Sequence, residues 1–426
     1  MSALEDFKGA AEPEITPDDS PAMDEALQNE NSFIPRQTGL QLVSTKPSGG
    51  NTYKQIELML GSKYAFRYNV VSSKTEFKIR NKLRDPYVDM RDYDYHSILR
   101  ELKLVDLPCS KDTLRTILSS DFVPKYDPFQ EYVTGLPTWD GCTDHIGELA
   151  GTIRTTNDTL FGKYLRKWLV GMIASWVIPQ VINQTVLILS GPQGIGKTKW
   201  LGRLIPAPLD KSVYTGNINV RDKDSLVKLS ECPLIIMDEL ENMTGRNIDA
   251  LKELITKENI YIRRAYAYTH ENYVRRASFA GSVNGKDFLH DITGNRRFLC
   301  FEAKRIDYQH TIDMDMVFAQ AYALYQRGFR FWTTSEDIVE LDTHNEEFRA
   351  VCIEEEQLTS YYEPCSDDDP DAEFMMTSDI LKNLLRLSGL RSLSEQKLGR
   401  VLNKLSFARL KKRGRYVYAV KLKPPQ

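Results

Sequence analysis

The chain has 426 residues, 41% of them hydrophobic and 27% charged, with 24 glycines, 19 prolines and a formal net charge of -3. That balance excludes a collagenous, coiled-coil or wholly disordered chain and suits two or three domains with sizeable cores. The longest apolar run, Trp168 to Ile178, stops after 11 residues at Pro179, well short of the ~20 that a membrane span needs. No basic-then-apolar leader opens the sequence, so a cytoplasmic protein without a membrane partner is expected. Cys109, Cys142, Cys232, Cys300, Cys352 and Cys365 form no CxxC pair, which argues for reduced thiols. Cys142-x-x-His145 lacks a second ligand pair, so no zinc is expected.

In chain order, residues 1–34 carry nine acids and one lysine with little apolar periodicity, and read as a disordered acidic tail. Residues 35–150 form an N-terminal α+β, largely helical region. Within it Tyr53 to Ile79 alternates apolar and polar residues, predicting short strands; helical patterns follow at Tyr93–Leu104 and Lys111–Leu118, and Pro124–Gly141 reads as a connector. Residues 151–350 open on an apolar helix at Leu160–Val181. They then alternate strands with helices, the pattern of a parallel α/β sheet. Residues 351–373 read as a solvated acidic linker, with nine acids and no base from 352 to 373; residues 374–426 hold thirteen bases against two acids. A basic module beyond an acidic linker suggests a polyanionic partner.

The strongest motif is Gly191-Pro192-Gln193-Gly194-Ile195-Gly196-Lys197-Thr198, a full G-x-x-x-x-G-K-[ST] match between the apolar run Thr185–Ser190 and a helical segment at Trp200–Leu204. Strand, loop, helix is the context in which backbone N–H groups wrap a triphosphate. Lys197 would then reach the β- and γ-phosphates, and Thr198 would ligate Mg²⁺. A second strand, Pro233–Met237, ends in Asp238-Glu239. Asp238 would hold Mg²⁺ through water, and Glu239 would orient and deprotonate the attacking water. A third, Ala277–Val283, ends in Asn284, which could bond the γ-phosphate or its water; Asn284-Gly285 is also a plain turn pair. Arg296 and Arg297 precede a further strand; they read either as a solvated edge or as an arginine finger offered to a neighbouring subunit.

Two stretches suit nucleic acid. Ile260 to Arg276 reads as a hairpin with a polar centre at Thr269–Asn272, its Arg263, Arg264, Tyr268 and His270 interleaving charge with aromatic rings. At the C-terminus, helices are predicted at Thr377–Leu387 and Ser392–Leu405, the second with an S-x-x-E box from Ser392 and Glu395. A basic hairpin follows, with Lys411, Lys412, Arg413 and Arg415 at its turn. Helix, helix, hairpin is a winged-helix outline, and Lys397, Arg400 and Lys404 share one helical face.

Tyr126-Asp-Pro-Phe, Gly135-Leu-Pro-Thr-Trp-Asp-Gly141, Lys167-Trp-Leu-Val-Gly171, the loop Gly191–Thr198, Asp238-Glu239 and Gly294-Asn-Arg-Arg-Phe298 occur in this order. In these motifs, across roughly residues 85 to 345, the chain resembles the virulence-associated protein E family, P-loop ATPases allied to superfamily 3 helicases and carried by phages and other mobile elements. The resemblance implies a central AAA+-like P-loop NTPase sheet, a hexameric ring, ATP and Mg²⁺ as cofactors, and hydrolysis at subunit boundaries. By position, Lys197 and Thr198 match the nucleotide loop, Asp238 and Glu239 the metal and base carboxylates, Asn284 the sensor, and Arg296, with Arg297 next in line, the finger. The chain shows no carboxylate trio for nucleotide polymerisation, so a primase or initiator would act in trans. Two functions fit: an ATP-dependent helicase or translocase on single-stranded or forked DNA in mobile-element replication, or an ATP-switched DNA-binding regulator without unwinding.

Overall fold

The computed structural model describes residues 52–82, 84–216, 218, 222–238, 240, 245–264, 269–289, 295–412 and 414–424. The chain divides into Met1–Lys54 and Gln55–Gln426, and the architecture below is that of the second unit. The acidic tail read at residues 1–34 lies outside the described residues.

The helix Thr52–Lys63 buries Ile56 and Leu60. Their four-residue spacing, and not the alternation around Leu58, is what the core uses, so the strand expected here is corrected to helix. Strands β1 (Tyr64–Asn69) and β2 (Lys74–Ile79) pair antiparallel. β3 (Val88–Asp89) adds to β2, and β4 (Lys125–Tyr126) lies parallel to β1, giving the order β3-β2-β1-β4. The helices Asp92–Leu104 and Lys111–Leu118 pack on this sheet through Ile98, Leu102, Leu114 and Leu118. The region is therefore α+β, its helices packed on one four-stranded sheet. The Pro124–Gly141 segment is also more than a connector: the Asp127 carboxylate caps a helix at Pro128–Thr134, which buries Phe129 and Val133.

The central sheet comprises β5 (Ile153–Thr155), β6 (Val186–Ser190), β7 (Tyr214–Thr215), β8 (Leu234–Met237), β11 (Ser278–Val283) and β12 (Phe298–Ile306), in the order β5-β12-β6-β11-β8-β7. A separate antiparallel hairpin, β9 (Ile260–Ile262) and β10 (Glu271–Tyr273), comes between β8 and β11 in the chain. β6, β7, β8, β11 and β12 run parallel, and β5 is antiparallel to β12. β6, β8 and β11 are buried at every position, as a sheet covered on both faces requires. Alternate residues serve opposite faces. Leu187 and Leu189 join Trp168, Met172 and Phe318 from the helices Asp158–Val177 and Met314–Gln326. Val186 and Ile188 join Leu229, Leu251 and Leu254 from the helices Lys223–Glu231 and Gly245–Thr256.

The C-terminal part has its own core, including Ile380, Leu384, Leu398, Val401 and Tyr418. The helices Thr377–Ser388 and Glu395–Lys404 lead to β15 (Arg409–Lys412) and β16 (Arg415–Leu422), and β13 (Tyr362–Pro364) and β14 (Glu373–Met375) also pair with β16. The second helix is capped by Ser394, whose Oγ accepts from the Lys397 N–H at 3.4 Å, so the box expected from Ser392 and Glu395 is corrected to a simple cap at Ser394 with Lys397 at its third position. The acidic linker is corrected more deeply. Residues Ile353–Tyr361 form a helix in which Glu354 and Glu355 are buried. Glu354 accepts from the Ser394 N–H at 2.9 Å, Glu355 takes a two-pronged bond from Arg349, and Asp371 pairs with Lys421 at 2.9 Å. Glu354 and Glu355 therefore pack at the start of the run, while Glu356, Glu363, Asp367, Asp368, Asp371 and Glu373 stay exposed.

Candidate functional site

β6 ends at Ser190 and the chain enters a loop whose glycines sit at positive φ: Gly191 at 140°, Gly194 at 86° and Gly196 at 96°. A side chain would be strained at each position. At Gly191 an added Cβ would also stand 2.6 Å from the Ala303 carbonyl oxygen of the neighbouring strand. The loop closes on the helix Lys197–Gly202, six residues long, too short for its dipole to dominate. What the loop offers an anion is therefore its turn-directed backbone N–H groups and Lys197. Lys197 is buried, its Nζ donating to the carbonyls of Gly191 at 2.7 Å and Pro192 at 2.8 Å and to Asn284 Oδ1 at 3.3 Å.

The sheet register brings the other candidates to the same carboxyl-terminal edge. Val283 of β11 lies opposite Ser190 of β6, and Gly281 opposite Met237 of β8, so Asn284 emerges beside the loop and Asp238 one strand further on. Thr198 Oγ1 donates to Asp238 Oδ1 at 3.0 Å. Ser282, which the sequence reading did not single out, donates to the same oxygen and stands 3.3 Å from Thr198 Oγ1. Thr198, Asp238 and Ser282 form a cluster of hard oxygens, a donor set that suits Mg²⁺ bound by one carboxylate, substrate phosphates and water. Among the described residues no group of three or more His, Cys, Asp or Glu side chains could hold a metal by itself. Gly281 is needed for approach, since a Cβ there would meet Leu240 Cδ1 at 2.2 Å. Glu239 lies outside the described residues. Lys286, two residues past Asn284, reaches Glu302 at 2.8 Å, and Glu302 lies opposite Ser190. This bridge at the loop edge was also missed, because nothing local links residues 286 and 302.

Arg296 and Arg297 occupy the turn Asn295–Arg297 just before β12, at the other end of the sheet. Phe298 lies opposite Val186, where β6 begins. From there to the loop the strand rises about 16 Å, beyond the reach of an arginine side chain, so neither arginine serves the loop of its own chain. Arg296 is exposed and faces Asp342, whose carboxyl is pushed up by burial and pulled back by the Arg296 charge.

The model of the virulence-associated protein E-like domain matches residues 133–350, just over half of the chain. The chain belongs to the virulence-associated protein E-like family. No curated protein matches it. Among solved structures it is similar to the apo form of the NrS-1 C-terminal region, residues 305–718, at 13% identity and a TM-score of 0.46, covering 87% of this chain and 98% of that one. A second apo structure of that region, the A form, gives 14% identity and a TM-score of 0.43 over 87% and 99% of the two chains. No helix of the described residues is long and apolar enough to cross a membrane.

In this family member the residues expected to meet DNA divide sharply. The hairpin forms, but Glu271 and Asn272, expected at its polar centre, pair in β10 with Ile262 and Tyr261. Arg263 and His270 are exposed, and His270 stacks on exposed Tyr261 with centroids 5.5 Å apart. Arg264 is corrected to an internal role. Its guanidinium pairs with Glu231 at 2.9 Å, donates to the Val71 carbonyl at 2.7 Å and to Ser73 and Ser230, and covers the Tyr273 ring. Arg276 is likewise buried against Asp127. Tyr268 and Arg413 lie outside the described residues. In the C-terminal part Lys397, Arg400, Lys411, Lys412 and Arg415 are exposed, Lys412 over the Phe374 ring. Lys404 is drawn to Glu346 at 2.9 Å.

Proposed function

We propose that this chain is an ATP- and Mg²⁺-dependent motor acting on DNA, an AAA+-like P-loop ATPase that works as a helicase or translocase in the replication of a phage or other mobile element. The observation that carries the reading is the convergence of Lys197, Thr198, Asp238, Ser282 and Asn284 on one sheet edge. In this reading the loop N–H groups and Lys197 bind the β- and γ-phosphates, and Thr198 and Asp238 hold Mg²⁺, which supplies charge neutralisation at the phosphates. Asn284 orients the γ-phosphate or the attacking water, and Glu239 takes the proton of that water.

The position of Arg296 and Arg297 at the opposite sheet edge supports hydrolysis completed by a neighbouring subunit, hence a ring, with a hexamer as the family resemblance implies. Arg263, His270 and Tyr261 on the hairpin, and the basic face and wing of the C-terminal winged-helix-like part, would grip single-stranded or forked DNA. A primase or initiator would be a separate protein.

The test is ATP hydrolysis by the full chain with and without single-stranded DNA, measured beside sedimentation and strand displacement. DNA-stimulated hydrolysis by an oligomer that separates strands is the expected result. A monomer hydrolysing ATP equally well without DNA would overturn the motor, and DNA-stimulated hydrolysis without strand displacement would point to an ATP-switched regulator.

A further inference from the structure

The phosphate loop has an aromatic neighbour whose role the chemistry above does not use. Tyr308 follows β12 and lies half-buried against the third loop glycine: a Cβ at Gly196 would meet its ring at 2.3 Å. Lys199 Nζ stands 5.2 Å from the centre of the same ring. The backbone carrying Tyr308 is fastened beside the loop helix at two points. The Asp307 N–H donates to the Thr152 carbonyl at 2.8 Å, while Trp200 Nε1 donates to Thr152 Oγ1 at 2.8 Å. On the other side Arg203 donates to the His310 carbonyl at 3.1 Å. The ring is thus held in place by the helix that follows the loop.

In a loop of this kind Lys197 and Thr198 meet the β- and γ-phosphates and the metal, and the chain of phosphates leads back past the first helical turn. A nucleoside attached to the α-phosphate leaves the loop where Gly196 and Lys199 stand. An aromatic face at that point, with a cation beside it, suits a planar base and the phosphate nearest the sugar.

We propose that Tyr308, with Lys199, is the nucleoside platform of this site, receiving the base of the triphosphate whose phosphates the loop holds. This rests on the reading of Gly191–Thr198 as a triphosphate site. A stacked base contributes through its face, so removing the platform weakens a nucleotide and spares a bare polyphosphate.

The experiment compares binding of ATP and of inorganic tripolyphosphate, with Mg²⁺, to the full chain and to its Tyr308→Phe, Tyr308→Leu, Tyr308→Ala and Lys197→Ala variants, each with its melting temperature recorded. Tyr308→Ala and Tyr308→Leu are expected to weaken ATP about tenfold or more and to leave tripolyphosphate within about twofold. Tyr308→Phe keeps both, and Lys197→Ala loses both. Tyr308→Leu retains most of the packing volume against Gly196, so it reports on the platform if Tyr308→Ala melts early. Equal losses of ATP and tripolyphosphate in Tyr308→Leu would make Tyr308 a prop for the loop, and unchanged ATP binding would remove it from the site; either overturns the proposal. Failure of the wild-type chain to bind tripolyphosphate and ATP alike would instead overturn the triphosphate reading.

Discussion

The two ends of the central sheet use basic residues in opposite ways. At the carboxyl end, Lys197 is turned into a loop of carbonyls and an amide and is shielded from solvent. At the amino end, Arg264 and Arg276 lie in a stretch rich in arginine, and each is engaged by a carboxylate: Glu231 for the first, Asp127 for the second. A guanidinium already paired and bonded internally has little left to offer a phosphate from outside, whereas the Lys197 ammonium lies inside the Gly191–Thr198 loop, among the backbone N–H groups that would meet an anion. The contrast separates residues that build the molecule from residues that can act on something else.

Substitutions at the two ends should therefore fail differently. Lys197→Ala is expected to reduce nucleotide binding and hydrolysis by about a hundredfold or more, with the melting temperature little changed, as read by calorimetric titration and a phosphate-release assay. Arg276→Ala leaves Asp127 partly buried and unpaired, and should cost about 3–5 kcal/mol of stability in urea unfolding. Arg263→Ala, in the same stretch but exposed, should stay within about 0.5 kcal/mol of wild type and lose DNA affinity instead. If Arg263→Ala unfolds the protein and Arg276→Ala does not, the division proposed here is reversed. A smaller effect is expected at Ser282. Its hydroxyl donates to the oxygen of Asp238 that Thr198 also meets, so Ser282→Ala should lower the hydrolysis rate at saturating ATP about tenfold while nucleotide binding is kept.

How far each end was legible follows from the distance between partners in the chain. The phosphate loop carries its own geometry within eight residues, so its glycines, Lys197 and Thr198 could be read at once. Asp238 and Asn284 could be read because each sits at the end of an apolar run, and parallel strands align such ends. Ser282 was hidden because a serine inside an apolar run looks like any small core residue. Arg264 and Arg276 were misjudged for a different reason: Ser73 and Asp127 lie 191 and 149 residues away, and no local pattern reveals a partner that only the fold supplies. The same holds for Glu354 and Glu355, whose run of charge looks solvated until Arg349 and the Ser394 N–H are brought to it. The helix at Thr52–Lys63 was lost to a real ambiguity, since Ile56, Leu58 and Leu60 satisfy a period of two as well as the spacing of four that is used.

Ion pairs also distinguish the scaffold by its response to acid. Burial alone would raise the Asp337 carboxyl, but Lys167 at 2.6 Å, the Thr334 N–H and Lys163 at 3.0 Å outweigh it and hold it below the usual aspartate range. A carboxylate with a depressed folded value contributes stability above its unfolded value of about 3.9 and loses it as the pH falls further. Lys167→Met should therefore lower the melting temperature by several degrees at pH 7, with the gap to wild type narrowing below about pH 4. A gap that is constant with pH would assign the loss to packing of the lysine stem.

The least effect, and the finest test of the comparison, lies on the C-terminal helix Glu395–Lys404. Lys397, Arg400 and Lys404 share a face, yet Lys404 is held by Glu346 while Lys397 and Arg400 are exposed. If engagement by an internal carboxylate is what withdraws a cation from DNA, the three will not contribute equally. The double variant Lys397→Ala/Arg400→Ala should reduce the slope of log affinity against log salt by about 2, one for each lost phosphate contact. Lys404→Ala should change that slope by well under one and instead release the Glu346 contact, a loss of at most about 1 kcal/mol because that pair is partly exposed. A full unit of slope lost at Lys404 would mean that DNA outcompetes Glu346. The distinction between building and acting residues would then hold for the buried arginines of the sheet and not for the surface of this helix.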